Sequence, residues 1–362
     1  MDTIALYFHI PFCSRKCTYC AFYSVAWATE EDKDAYLKAL ITQMRSFPET
    51  RPVSSVYFGG GTPNLFGASR IVRLLNEANS LFSICDHCET TVEVNPGSVC
   101  LEDLKLLRQS GVNRLSIGMQ SSDDELLRFL GRQHSFRDTC ECVRNARRAG
   151  FGNLSLDLLF GLPHQTESQF RATLSDALGL APEHFSVYSI QVEEGTPLYQ
   201  NRNRLSFPTE EEEEREYAVL CQEMAKAGYI HYEISSFSKM GFHSMHNMHY
   251  WMRGDYLGFG PAAHSFWNGK RFSNHPDLKG FIQAPLTAND YSSVERISEE
   301  EAIEEEVLLG LRTNLGIPAY LVSERKVKQL CEFGYLRMDG DRVVMTEIGW
   351  RVSNAVIGQL LT

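Results

Sequence analysis

The 362-residue chain has no apolar run approaching the roughly 20 residues that span a bilayer. It has no excess of positive charge: the formal net charge is -11, which excludes a dedicated nucleic-acid binder, since that function needs a basic face. The start, Met1-Asp2-Thr3-Ile4-Ala5-Leu6-Tyr7, lacks a basic n-region and a small-residue cleavage site, so no secretory signal is expected. Low-complexity linkers and internal motif repeats are missing too. With 43% hydrophobic and 22% charged residues, the composition is that of a folded globular protein, which excludes disordered, collagen-like and coiled-coil classes. What the chain does have is cysteine. Ten in a chain without a secretory signal point to metal ligation before disulfides, and to a cytoplasmic location.

Six short runs in the first half read as strands: Leu6 to Ile10, Ser55 to Phe58, Thr91 to Val94, Arg114 to Gly118, Asn153 to Phe160 and His184 to Gln191. Helix-like stretches lie between them, at Asp34 to Arg45, Ser69 to Leu81, Glu102 to Gln109 and Phe136 to Ala149. Alternation of this kind predicts an α/β fold with a parallel sheet, here an incomplete (βα)6 barrel over residues 1–200. Residues 201–290 read as an α+β extension. There Thr209 caps an acidic helix that Gly228 stops, and Tyr229 to Phe237 forms one strand. Residues 291–362 read as a small winged-helix-like module, with a hairpin over Tyr335 to Thr346 turning at Asp339-Gly340. That module shows no dense basic patch, so it is assigned to packing against a domain or partner, not to DNA.

The first strand runs into Cys13-Ser14-Arg15-Lys16-Cys17-Thr18-Tyr19-Cys20. Three thiolates in one loop can wrap a metal centre. A structural zinc wants four ligands, whereas a four-iron cluster held by three cysteines keeps one iron open. Zinc completed from elsewhere and buried free thiols are the competing readings. Cys85-Asp86-His87-Cys88 lacks a second pair to complete four ligands, and Cys100, Cys140, Cys142, Cys221 and Cys331 read as packing residues. Polar residues close the other strands: Gly59-Gly60-Gly61-Thr62-Pro63 after the second, Glu93 on the third, Gln120 on the fourth with Arg132 beyond it, and Asp157 on the fifth. Glycines would let backbone and ligand approach closely. A lone carboxylate at a strand end is more often structural, but several beside a cluster loop indicate a site. His243, His246 and His249 recur every three residues, and imidazole is a common heme-iron ligand, although most buried histidines simply pair with the backbone.

The Cys-x3-Cys-x2-Cys spacing at Cys13, Cys17 and Cys20 resembles the radical S-adenosylmethionine (SAM) superfamily. That resemblance implies a [4Fe–4S] cluster whose open iron binds SAM, and a 5′-deoxyadenosyl radical on its reduction. Tyr7-Phe8-His9-Ile10-Pro11-Phe12-Cys13, Gly111 to Gly118, Phe160-Gly161-Leu162-Pro163, Gly195-Thr196-Pro197, His246-Asn247-Met248-His249-Tyr250-Trp251 and Gly254 to Pro261 resemble the oxygen-independent coproporphyrinogen III oxidase family. By that resemblance Tyr7, Gly60, Gly61, Thr62, Glu93, Gln120, Arg132 and Asp157 contact SAM, and Tyr19 lies near its adenine. The oxidases carry a fourth cysteine two residues after the third and a long N-terminal extension; this chain has Phe22 there, and with its motif beginning at Tyr7 no such extension is expected. Its His-Asn-x-x-Tyr-Trp element resembles the heme chaperone group instead. The resemblance therefore implies heme binding, with His246 the preferred axial ligand, and delivery to acceptor hemoproteins, with transient membrane contact at most. The alternative is SAM-dependent decarboxylation of coproporphyrinogen III to protoporphyrinogen IX. Ala262-Ala263-His264 departs from the more usual Gly-Ala-His, a change confined to a turn.

Overall fold

The computed structural model describes residues 2–287 and 294–361. The boundary expected at 290/291 lies outside the described residues. Six strands occur where the sequence pattern places them: β1 (Ile4–Ile10), β2 (Val53–Gly60), β3 (Ile84–Val94), β4 (Arg114–Gln120), β5 (Leu154–Phe160) and β6 (His184–Ser189). They pair in sequence order, all parallel. Helices cross between them, several opened by capping boxes such as Thr29 with Asp32, Ser135 with Asp138 and Thr166 with Gln169. On each strand the residues alternate. Phe8, Phe58, Val92, Ile117 and Leu156 enter the main core under the helices, and Tyr7, Tyr57, Glu93, Ser116 and Asp157 face one another inside the curve of the sheet.

The sheet does not close. Beyond β6 it continues through β8 (Ser236–Ser238) to β7 (Ile230–Glu233), and beyond β1 through β9 (Tyr256–Phe259), β10 (His264–Trp267) and β11 (Lys270–Ser273) to β12 (Glu295–Arg296), twelve strands in one open sheet. The barrel is thus incomplete, as expected. The single strand expected over Tyr229 to Phe237 is a hairpin. The signal was weak because the turn, Ile234-Ser235, contains neither Gly nor Pro; distant groups hold it instead, Ile234 N–H donating to the Arg312 carbonyl and the Ser235 carbonyl accepting from Val187 N–H. The helix Glu210–Lys226 carries the Thr209 cap, and Gly228 follows it at φ +79°, a conformation that favours glycine.

The C-terminal module has its own small core around Leu311, Val327, Val343 and Trp350. Its three strands, β13 (Ile317–Pro318), β14 (Leu336–Asp339) and β15 (Arg342–Met345), include the expected hairpin. A short helix, Met245–Trp251, carries the histidine element and packs against β2. Its N-terminus is held by the Glu89 carboxylate, which accepts from Met245 N–H and His246 N–H, both at 3.1 Å.

Candidate functional site

The cluster loop begins where β1 ends. Cys13 N–H donates to the Val25 carbonyl and Val25 N–H to the Pro11 carbonyl, closing the loop at its base. Thr18 N–H reaches the Leu130 carbonyl, and Leu198 N–H the Thr18 carbonyl, so two further segments fix its far side. All three thiols are free and half-buried. The Cys13 thiol lies 3.6 Å from Thr62 Oγ1, and Arg132 Nη1 donates toward Cys17 Sγ at 3.6 Å. Burial pushes the Cys20 thiol above its ordinary pKa. Among the described residues, no group of three His, Cys, Asp or Glu side chains converges to hold a single metal ion. A four-iron cluster makes no such demand, because each thiolate takes a different iron. A guanidinium beside the thiols also suits an anionic thiolate set. The donor set therefore fits a cluster better than a lone zinc.

Arg132 ties the loop to the strand ends. Its Nη2 donates to Asn95 Oδ1 at 2.5 Å and to the Gly118 carbonyl at 2.8 Å, while its buried Nε has no protein partner. A Cβ at Gly118 would lie 3.0 Å from Arg132 Nη2, so the strand must be glycine there for the guanidinium to reach. Gln120 closes β4 at φ +65°, a strained value for a residue with a side chain. A polar cavity of ≈ 190 Å³ opens beside Cys17, between Arg15, Thr62, Asn95 and Arg132. A roomier cavity of ≈ 540 Å³ lies outside the sheet, between Glu213, Tyr217 and Trp350, and contains none of the cluster-loop residues.

Inside the sheet two carboxyl groups sit among hydroxyls. Glu93 Oε1 accepts from Tyr57 Oη at 2.9 Å and Oε2 from Gly60 N–H at 3.2 Å. Burial, reinforced by the Asp157 charge, pushes the Glu93 carboxyl up to about 7. Asp157 accepts from Ser116 Oγ at 3.0 and 3.1 Å, and burial raises it as well. Tyr7 donates to His9 Nδ1 at 3.2 Å, because His9 Nε2–H is committed to the Tyr23 carbonyl at 2.9 Å. Tyr19 lies against Leu126, Leu130 and Leu198; burial raises its phenol, opposed by the nearby Arg132 charge.

The glycine turn also packs tightly against its own protein neighbours. Gly61 N–H and Thr62 N–H donate to the Ile10 and Phe12 carbonyls, and Gly60 N–H to Glu93. Gly60 has φ +111°, and a Cβ there would meet the His9 ring at 2.5 Å; at Gly61 it would lie 2.9 Å from the Ile10 and Phe12 carbonyl oxygens. The turn is glycine so that β2 can lie flush against the root of the cluster loop.

The structure brings Tyr7, Gly60, Gly61, Thr62, Glu93, Gln120, Arg132 and Asp157 to the strand ends and the concave face beside the cysteine loop. His246 lies on that face too, but deep. It is 2% exposed, its Nδ1 pairs with Ser55 Oγ at 2.9 Å, and its Nε2 pairs with Tyr250 Oη at 2.8 Å. Burial lowers its pKa to about 3, keeping the imidazole neutral. His249 Nε2 is bonded to the Asp255 carbonyl at 2.6 Å. His243 stacks on Tyr232 at 4.2 Å with its buried Nε2 unpartnered. Cys85 and Cys88 pack against the main core. Cys100, read as a packing residue, is exposed, its sulfur accepting from Asp103 N–H as the cap of helix Leu101–Gln109. Sequence reasoning missed Tyr57, Asn95, Ser55 and Ser116; period-two alternation along β2 and β4 carries the signal for all but Asn95.

The family model of the radical SAM superfamily matches residues 7–177. Heme chaperone HemW of Bacillus subtilis (strain 168) is 36% identical, the match covering 98% of this chain and 98% of that protein. Heme chaperone HemW of Lactococcus lactis subsp. lactis (strain IL1403) is 35% identical over 98% of this chain and 96% of its own. The structure of coproporphyrinogen III oxidase (HemN) from Escherichia coli has the same fold, with a TM-score of 0.84 over 99% of this chain and 90% of that one at 23% identity. Identity of more than a third along almost the whole length, carried by a sheet and a cysteine loop of this kind, makes this chain a member of the heme chaperone HemW family within the radical SAM superfamily.

Proposed function

We propose that this protein is a heme carrier: it binds heme, holds a [4Fe–4S] cluster and SAM, and passes the heme to acceptor hemoproteins in the cytoplasm. The observation that carries this reading is the near-full-length similarity to curated heme chaperones. In this reading residues 1–200 hold the cluster and SAM, residues 201–290 supply the His246 element, and residues 291–362 pack beside them. Contact with a membrane surface, where an acceptor is embedded there, is transient; no helix among the described residues is long and apolar enough to cross a bilayer.

Cys13, Cys17 and Cys20 are assigned to the cluster, and Arg132 steadies the Cys17 thiolate. When bound, the cluster supplies an open iron for SAM and a source of one electron. Glu93 and Asp157 offer acceptors to the cationic and hydroxyl groups of SAM. The free Nε of Arg132 is a donor for an anionic one. Tyr7, Thr62, Gln120 and Tyr19 line the same cradle. Gly60 and Gly61 keep the turn that aims Glu93. His246 is assigned to heme. Its neutral imidazole is the form that ligates iron, and ligation requires Tyr250 to release Nε2. Phe22, 68% exposed, stands where the oxidases have their additional cysteine.

The test is anaerobic reconstitution of the cluster, followed by heme binding, heme transfer to an apo-hemoprotein and coproporphyrinogen III turnover on one sample. Heme binding and transfer without turnover is expected. SAM-dependent release of carbon dioxide from coproporphyrinogen III would replace the carrier reading with the oxidase.

A further inference from the structure

The concave face holds two sites, the SAM cradle at Glu93 and the heme element at His246. Tyr7 reaches the His246 ring at 6.4 Å, but Tyr57 makes the closer contact and also bonds the carboxylate. The Tyr57 hydroxyl donates to Glu93 Oε1 at 2.9 Å, and the Tyr57 ring lies against the His246 ring, centroids 4.8 Å apart and planes 23° from parallel. Tyr57 also stacks on Tyr7 at 6.1 Å. On the far side of His246, Tyr250 packs edge-on at 4.7 Å and itself meets Tyr256 at 4.6 Å.

There is no slack in this arrangement. A Cβ at Gly59 would lie 2.8 Å from Tyr57 Cε1 and 2.9 Å from Glu93 Oε1, so the tyrosine and the carboxylate nest against bare backbone. His246 is fixed at Nδ1 by Ser55, two residues before Tyr57 on the same face of β2. The Glu93 carboxylate has two partners, Tyr57 and Gly60 N–H. A cationic ligand that draws this carboxylate toward itself changes its hold on the Tyr57 hydroxyl, and with it the surface on which the His246 imidazole rests. Conversely, pulling His246 toward iron unloads one face of Tyr57.

We propose that Tyr57 is a positioning residue that couples the two sites, so that occupancy of the SAM cradle sets the heme affinity of the His246 element. This rests on the heme-carrier reading. It goes beyond that reading by giving SAM a regulatory role in loading and release that requires no cleavage of SAM. Because coupling free energies are reciprocal, SAM must change heme affinity by the factor by which heme changes SAM affinity.

The experiment titrates heme into cluster-loaded protein, followed by the Soret band, with and without saturating SAM, and titrates SAM with and without heme. The wild type is expected to show the same factor in both directions, about five-fold or more. Tyr57→Phe keeps the ring on His246 and removes the hydroxyl from Glu93; it should bind both ligands with the factor reduced to within about two-fold of unity. Tyr250→Phe disturbs His246 from the other side, and should shift heme affinity equally in the presence and absence of SAM. Retention of the wild-type factor in Tyr57→Phe overturns the proposal, as does wild-type protein that binds both ligands independently. Failure of the wild type to bind heme at all overturns the carrier reading and the coupling with it, a result distinct from two independent ligands.

Discussion

The cysteine loop and the His246 helix stand at one concave face in opposite states of readiness. The loop presents three free thiols, and beside it stand a guanidinium with an unpartnered Nε and Gln120 in a strained backbone conformation, while hydrogen bonds from neighbouring segments pin the loop. Its open valences belong to groups a ligand would complete. The helix is closed. His246 has partners on both ring nitrogens and is 2% exposed. In either tautomer Nε2 is unavailable to iron while Tyr250 stays: it either carries the proton or accepts one. A resident cofactor calls for a preformed cradle. A cargo that must be released suits a site that recovers its own internal bonds when the cargo leaves.

The comparison breaks most completely at the thiols. Cys17→Ala, like Cys13→Ala or Cys20→Ala, should abolish iron and sulfide incorporation on anaerobic reconstitution, whereas Cys88→Ala should leave it unchanged because Cys88 packs in the core. Full iron content in Cys17→Ala would move the ligand set elsewhere. The next effect is at the turn. Gly60→Val forces a branched residue to φ +111° and into the His9 ring. It should cost roughly 1–3 kcal/mol of stability and also lose SAM, because the Glu93 carboxylate is aimed from the Gly60 N–H. Denaturant unfolding and equilibrium SAM binding read the two losses. Lost SAM binding at unchanged stability would show that the clash is with the ligand and not with His9.

How much of this was legible follows from which forces are local. Strand positions, the Thr209 cap, the Gly228 stop and the hairpin of β14 and β15 rest on alternation, capping and turn chemistry that operate within a few residues. The cysteine spacing is local too. The β7–β8 turn was not legible because Arg312 and Val187, far away in sequence, hold it. The close approach of Gly60 to His9 was not legible because His9 comes from another strand. Alternation along β2 puts Tyr57 on the concave face, but its partners Glu93 and His246 come from another strand and a distant helix.

Closure of the histidine element is sharpened by releasing its latch. Tyr250→Phe removes the group that covers His246 Nε2 and leaves that nitrogen buried without a partner, which should destabilise the ligand-free protein by about 1–3 kcal/mol. Heme restores the missing partner, so heme affinity should rise about five-fold, the equivalent of ~1 kcal/mol. His246→Leu should weaken heme binding and alter the Soret band while cluster content and SAM binding persist. Weaker heme binding in Tyr250→Phe would show that the phenol supports the cargo and does not compete with it.

The smallest effect is a pH dependence at Glu93. Its folded-state pKa is raised to about 7 from 4.5, by burial first and the Asp157 charge second. The folded protein therefore binds a proton here that the unfolded chain has given up, and this group's contribution to stability falls as pH rises from about 4.5 through about 7. Binding of a cation has the opposite sign, because it needs the ionised carboxylate. SAM affinity should accordingly rise between pH 6 and pH 8, about one unit either side of that pKa, while the stability of the ligand-free chain declines over the lower part of the range. Glu93→Gln should flatten both curves in that window. It replaces an acceptor that ionises with one that does not and retains a hydrogen bond to Tyr57. Calorimetric SAM titrations and denaturant midpoints measured across the window at constant ionic strength separate the two signs. An affinity that climbs with pH just as steeply in Glu93→Gln would transfer the titration to Asp157, the other buried carboxyl group whose pKa is raised on this face.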